Sequence, residues 1–372
     1  MITEAALAAD IAAAHAAREP LLVQGHGTKR AMLRPVQAAR TLSTRGLSGI
    51  TLYKPTELVI SARAGTPIPE IEAALAEKGQ QIIAEPPDPR AIFGGDLPAT
   101  LGGITAANLS GPRRIAWGAM RDHVLGIRAI KGDGEIFRSG GRVLKNVTGL
   151  DLCKLLAGSH GTLGVLTEIT FKVLPASEAT ATLAVTVPDI ATGVRAMSAA
   201  LGSPFGVSGA AMVGQRALLR LEDFADSVTY RSVRLREILA PFGDVTLTDD
   251  AALWRDIRDG VALGAAPADA VWRISAAPSA APAIAAALPG AKLLFDWGGG
   301  LVWVAGPATS EMHQAVITAA GMGSYTLFRA PDALRAAVHV IPPEPAPLAA
   351  IGARVKAVLD PAGILNPGRL RA

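Results

Sequence analysis

Residues Leu155–Pro175 read LLAGSHGTLGVLTEITFKVLP, and three readings compete for the first half of this stretch. Ala157-Gly158-Ser159-His160-Gly161 is one residue short of the G-x-S-x-G elbow of serine hydrolases. The glycines at 158, 161 and 164 suit equally a loop that wraps a phosphate, or a plain turn. Context argues against the elbow, which needs a strand before the serine and a helix after it. Here DLCKLLAG (Asp151–Gly158) is helical in character, and the residues after Gly164 are β-branched and strand-like. The order is reversed, which sets Ser159 aside as a nucleophile. In TEITFKVLP, Ile169, Phe171 and Val173 alternate with Thr170 and Lys172, which predicts a half-buried strand.

Working outward, the first half of the chain alternates short strands, helices and glycine turns. LLVQ (Leu21–Gln24) reads as a strand entering the loop Gly25-His26-Gly27-Thr28-Lys29-Arg30. LVISARAG (Leu58–Gly65) is a second strand. TPIPEIEAALAEKG (Thr66–Gly79) is a helix with Thr66 as its N-cap, Pro67 in the first turn and Gly79 past the end. HVLGIRAI and EIFRSGG are strands joined by the hairpin signal Lys131-Gly132-Asp133-Gly134. From about residue 177 strand–helix alternation becomes regular and runs through two similar rounds, predicting one antiparallel sheet covered by helices. VIPPEPAP (Val340–Pro347) is a stiff connector, and LAAIGARVKAVLD is a final helix before a turn-rich tail.

At 372 residues, half of them apolar, with 39 Gly and 26 Pro, the chain has room for two compact domains and is not disordered. The single cysteine, Cys153, excludes an intrachain disulfide and any Cys-built zinc or iron–sulfur site. The six histidines never sit at metal-ligand spacing, so no metal site is expected. A net charge of +4 without a long Lys/Arg run gives nucleic-acid binding no support. No apolar run approaches the ~20 residues of a membrane span, and the acid-bearing N-terminus reads as a helix rather than a signal peptide. A Rossmann fingerprint fails because Arg30 stands at its third glycine, and there is no P-loop. Three glycine-rich loops remain, at 25–28, 94–111 and 158–164, with hydroxyls at Thr28, Ser110 and Thr162. Together they suit either a cleft for a long phosphorylated cofactor or ordinary turns, and composition does not separate the two.

Several segments carry a resemblance that does. Leu52–Pro87, Ala99–Pro175 and the tail LDPAGILNPGRL (Leu359–Leu370) resemble the FAD-binding domain of the vanillyl-alcohol oxidase / p-cresol methylhydroxylase superfamily. SGPRR (Ser110–Arg114), GGRVLKNVTGLD (Gly140–Asp151) and DWGGGLVWV (Asp296–Val304) narrow it to the FAD-binding subunits of bacterial glycolate oxidases. The resemblance implies an α+β chain: a two-part FAD domain over residues 1–176, a smaller antiparallel-sheet-and-helix cap over 177–345, and a C-terminal segment, 346–372, that returns to the FAD domain. It places Gly25, His26, Gly27, Thr28 and Lys29 in a first pyrophosphate loop. Gly94, Gly95, Leu101, Gly102, Gly103, Asn108, Ser110 and Gly111 fall in a second, beside the isoalloxazine. Gly158, Gly161, Thr162, Gly164 and Val165 lay backbone against the nucleotide, and Arg121, Asp122 and Asn366 match further family positions.

The departures carry information too. Thr28 stands where histidyl-linked relatives attach their flavin, so non-covalent FAD is expected. The "GHxGDGNxH"-like segment of relatives that oxidise 2-hydroxy acids on their own is absent. The resemblance implies glycolate oxidation to glyoxylate, with electrons leaving through flavin to an iron–sulfur subunit and a D-type flavin subunit as a second partner. The alternatives are a flavin relay or structural subunit of that complex, or a stand-alone dehydrogenase of another 2-hydroxy acid. The implied setting is cytoplasmic, any membrane association coming through the complex. A carboxylate substrate wants an arginine clamp, for which Arg113, Arg114 and Arg329 are the candidates, and the catalytic base is unassigned.

Overall fold

The computed structural model describes residues 2–141, 150–248 and 250–371, so most of the GGRVLKNVTGLD motif lies outside the described residues. The opening stretch forms the middle of the first large sheet. Val165–Pro175 pairs antiparallel with Val59–Arg63 on one side and Val124–Ile130 on the other. Ile50–Lys54 and Ile136–Gly140 extend the two edges, and Gln80–Ile82 pairs with the far end of the central strand. The predicted helix before the turn is Leu152–Leu156, capped by the Asp151 carboxylate, so helix precedes turn and strand follows it.

Two sequence expectations need correction here. The central strand is not half-buried: Ile169, Phe171 and Val173 are fully buried, but Thr167 and Thr170 on the opposite face are buried as well. The N-terminal helix Glu4–Ala17 covers that second face, and Glu4 accepts a hydrogen bond from the Thr167 hydroxyl at 2.5 Å. Thr170 is satisfied by the Ser61 hydroxyl at 2.7 Å, which is why a polar residue is tolerated there. Alternation reports chemistry on each face, whereas burial depends on what covers the face. The other correction concerns Thr66. The helix Ile68–Ala76 has Pro67 at its N-cap, and the Thr66 hydroxyl instead accepts from the Gly49 amide at 2.9 Å.

A small parallel pair, Leu21–Gln24 with Arg40–Ser43, carries the first glycine loop at its carboxyl end. The C-terminal tail adds a parallel bridge from Leu365 to Leu21. Ile364 and Leu365 are buried with Leu7, Ile11, Leu21 and Val165 in one apolar cluster. The tail is thus built into the first half of the chain, and its burial fixes where Asn366 sits.

The second half is one eight-stranded sheet, antiparallel at every pairing. Each round runs strand–helix–strand–strand–helix–strand. Ala179–Thr186 to Asp244–Thr248 is the first, and Asp269–Ser275 to Ser324–Arg329 the second. The rounds meet where Gly209–Val213 pairs with Phe295, so the two β-α-β-β-α-β units share a continuous sheet. Helices Ile190–Leu201, Ala225–Leu239, Ala281–Ala286 and Ser310–Ala320 pack on one face. The sequence reading passes over the edge strand Asp244–Thr248 and the helix Ala251–Asp259. On the sheet's helix side the Trp272 indole donates to His313 at 3.0 Å. Neighbouring positions Arg220, Glu222 and Arg273 point the other way, toward the first half. The fold class is therefore α+β, as the sequence leads one to expect. Among the described residues no helix is long and apolar enough to cross a membrane.

Candidate cofactor cleft and the seam beside it

Three glycine segments and the tail converge because each is anchored from behind. Thr100 caps the short helix Leu101–Ala107 by accepting from the Gly103 amide. The first loop rests on this cap. A side chain at Gly25 would put its Cβ 2.3 Å from the Thr100 hydroxyl, so only glycine permits the approach. The Gly158–Gly164 turn docks on the other end of that helix, with the Gly158 amide donating to Thr105 and the His160 amide donating to Ala106 at 2.8 Å. Gly161 turns there with φ +72°. Asn366 locks the assembly from the tail. Its side chain accepts from the Val23 amide at 2.7 Å and donates to the carbonyls of Val23 and His160. Replacing Asn366 by alanine strands the Val23 amide and the His160 carbonyl in a buried site, at about 1–3 kcal/mol each. We expect a stability loss of about 2–4 kcal/mol, together with poorer flavin retention. Urea unfolding followed beside the flavin absorbance of the purified variant checks both.

These anchors flank an open cleft between the first glycine loop, the Gly158–Gly164 turn and the tail. Of the expected residues, Gly25, His26, Gly27, Thr28, Lys29, Gly102, Gly103, Gly161, Gly164, Val165 and Asn366 line it. The others stand behind or away from the lining. Gly94 and Gly95 lie in an exposed loop, and Leu101 is fully buried in the core. Asn108 caps its helix and accepts from the Arg121 amide; Ser110 accepts from the Met120 amide. Gly111 is packed against the Glu85 carbonyl. Arg121 and Asp122 are exposed, with Asp122 accepting from the Ala119 amide. Thr162 spends its hydroxyl on the Ser159 carbonyl, and Ser159 donates to Leu156. The sequence reading missed Gln24, Thr44, Thr100 and Arg369 as lining, and it left His160 without a role. Arg369, three residues past Asn366, was the one with a readable signal.

The electrostatics of the lining select a ligand class. It contains Lys29, Arg30, His160 and Arg369 but no Asp or Glu among the described residues. Removal from water, reinforced by the Arg369 charge, pulls the Lys29 ammonium down to about 8. The same causes, joined by Lys29, pull His160 down to about 3, so its imidazole is neutral at physiological pH. Arg369 is held by the carbonyls of Lys29, Arg30 and Arg34, and burial beside Arg335 and Arg30 lowers it to about 10. Unpaired cations withdrawn from water are costly until an anion joins them. The Gln24 side-chain oxygen is also buried with no donor. A pyrophosphate answers the cations, and a ligand hydroxyl beside it would give the Gln24 oxygen its donor, so the residues present fit FAD. The His26 Nδ1–H donates to the Pro98 carbonyl, 2.8 Å away.

The arginine candidates separate sharply on the seam between the halves. Arg113 pairs with Glu222 at 2.5 Å, and Arg220 grips Glu85 through both guanidinium nitrogens at 2.8 and 2.9 Å. Arg329 donates to the carbonyls of Ile92, Ala266 and Asp269. Arg113 is spent on Glu222, and Arg329 is tied to three backbone carbonyls with only its Nε left over, so neither presents an open guanidinium fork. Arg114 makes no ion pair among the described residues and lies over the Trp297 ring at 4.5 Å.

Comparison with known proteins agrees with this geometry. A family model described as an FAD binding domain matches residues 2–140. The chain is 39% identical over 355 residues to glycolate oxidase subunit GlcE of Escherichia coli (strain K12), covering 95% of this chain and 93% of that protein. It is 28% identical over 232 residues to glycolate oxidase subunit GlcD of Bacillus subtilis (strain 168), covering 61% of this chain and 48% of the other. The crystal structure of p-cresol methylhydroxylase with substrate bound superposes with a TM-score of 0.74 at 13% identity, over 99% of this chain and 87% of that one, a likeness of fold. With a carboxylate-free cationic cleft on this fold and end-to-end similarity at that level, the chain belongs to the GlcE family of FAD-binding oxidoreductase subunits.

Proposed function

We propose that this chain is the FAD-binding subunit of a glycolate-oxidising complex, converting glycolate to glyoxylate and passing electrons to an iron–sulfur subunit, with a D-type flavin subunit as its other partner. The observation that carries the reading is the cleft itself, cationic, lined by no carboxylate among the described residues and bounded by the buried tail. FAD, when bound, supplies a two-electron acceptor for the hydride of the substrate's carbinol carbon. Lys29 would hold the pyrophosphate, with the backbone of Gly25–Gly27 and Gly161 close beside it and Arg369, fixed by backbone carbonyls, adding its charge from behind. Position 28 is a threonine, and the nearby His26 is engaged by the Pro98 carbonyl, which supports non-covalent binding. The division at residues 176/177 and 345/346 belongs to this proposal, the second unit capping the first.

A second reading has one observation in its favour. The chain has no histidine cluster in its second half, so substrate oxidation in the D-type subunit with this chain as a flavin relay is the alternative. The discriminating experiment is a visible spectrum of the purified chain before and after anaerobic glycolate. We expect flavin absorption that glycolate bleaches. Flavin that stays oxidised would transfer catalysis to the partner, and a colourless chain that takes up no added FAD would overturn the proposal.

A further inference from the structure

The DWGGG segment marks the strangest backbone on the seam. Trp297 adopts φ +53°, a region few non-glycine residues enter, and its neighbours explain how it is held. The Trp297 amide donates to Asp296 at 2.7 Å, and its indole N–H donates to the Gly111 carbonyl of the first half at 3.1 Å. The ring is thus presented at fixed orientation with two guanidinium groups over it, Arg114 at 4.5 Å and Arg273 at 5.4 Å. Arg273 is also 4.8 Å from the Trp303 ring and 5.6 Å from Phe328. Among the described residues neither guanidinium makes a hydrogen bond or an ion pair, and the Arg273 Nε is buried without an acceptor.

Two unpaired like charges beside one indole repel, and aromatic faces recover only part of that cost. Burial and the Arg114 charge pull Arg273 down to about 10. Asp296 is the one carboxylate acting on it, and burial raises that group to about 7, so it supplies only part of a negative charge at neutral pH. An anion is what the arrangement lacks.

We propose that Arg114 and Arg273, spread over the Trp297 indole, form the subsite for the carboxylate of the small organic acid that this chain binds. The assignment rests on the hydroxy-acid reading above for the identity of the acid, but the anion requirement comes from the arginines themselves. Arg114 arrives from the first half and Arg273 from the second, so the subsite exists only when the two halves are closed on each other. Planar guanidinium groups match a carboxylate, and the apolar Trp303 and Phe328 rings limit its size.

The test is calorimetric titration of the full chain, as purified with its flavin, using oxalate as the probe. Wild type is expected to take one oxalate per chain. Arg273→Met and Arg114→Met are each expected to weaken it about thirtyfold or more, the usual loss when one partner of a buried charge contact is removed, with flavin content unchanged. Arg273→Lys should recover part of the loss. A silent wild-type titration, or both methionine variants within about threefold of wild type, would overturn the subsite. Should Arg273→Met fail to fold, the half-exposed Arg114→Met decides by the same criterion. Oxalate binding through both arginines without flavin bleaching by glycolate supports the subsite and counts against the proposed reaction. Bleaching with an unchanged glycolate KM in both variants supports the reaction and sinks the subsite.

Discussion

Replacing Lys29 by glutamate is expected to give a folded chain that purifies almost free of flavin. Lys29 is the ammonium nearest the cleft, and its neighbours there, Arg369 and the neutral His160, do not balance it. In the proposed site the missing negative charge is the ligand's. Glutamate would supply that charge from inside the protein, pair with the cationic wall and repel the pyrophosphate. Losing a desolvated charge contact costs about 2–5 kcal/mol, and reversal adds repulsion, so the FAD Kd should rise by about a hundredfold or more. The flavin-to-protein absorbance ratio of the purified variant reads this directly, and retention at the wild-type ratio would remove Lys29 from the pyrophosphate site. A pH profile adds a signed check. With its folded value lowered to about 8, free Lys29 is charged below that pH and neutral above it. FAD affinity of the wild type should therefore fall as pH rises through about 8, and Lys29→Met should lack that step.

The second large effect concerns stability. Glu85→Ala is expected to cost about 3–5 kcal/mol, because it leaves the buried Arg220 and Arg113 sharing the one carboxylate of Glu222. Glu85 lies in the first half and Arg220 in the second, and the Arg113–Glu222 pair sits beside them, with Arg220 also 3.2 Å from Glu222. Desolvation alone would raise both carboxyls, but the Arg220 and Arg113 guanidinium groups more than reverse it and hold both below the usual range. A carboxyl depressed in the folded state contributes stability that is fully present above its unfolded value, about 4.3. That contribution is lost as pH falls through the lower folded value. Wild-type stability should thus drop below about pH 5, and Glu85→Gln should show a shallower drop from a lower plateau. Urea denaturation across pH measures both. The double variant Glu85→Leu/Arg220→Met removes both charges, so it should regain much of the loss. If it is as unstable as the sum of the single changes, the pair is not coupled.

Local order was the legible part of the chain. The helix–turn–strand sequence around Gly158–Gly164, the Lys131–Gly134 hairpin and the two strand–helix rounds follow from periodicity and turn residues, and all appear in the structure. Burial of Thr167 and Thr170 did not follow, because a helix more than a hundred positions earlier covers the first and Ser61 of the neighbouring strand satisfies the second. The glycine loops could be found in the sequence, but their convergence could not. The Asn366 side chain reaches Val23 across 343 positions, and the lysine that the resemblance put in the cleft became a charged wall only when Arg369 folded beside it.

Residue type and spacing along a few turns of chain determined most of the local elements, and the resemblance to a known family carried the kind of cofactor. Tertiary structure decided which charges are available. Arg113, Arg114 and Arg329 are equivalent as letters, yet two are consumed by Glu222 and by backbone carbonyls while one stands unpaired with Arg273. The physical reason is that a guanidinium is a ligand site only where nothing in the protein already satisfies it, and what lies opposite a side chain is fixed by packing between segments far apart in sequence.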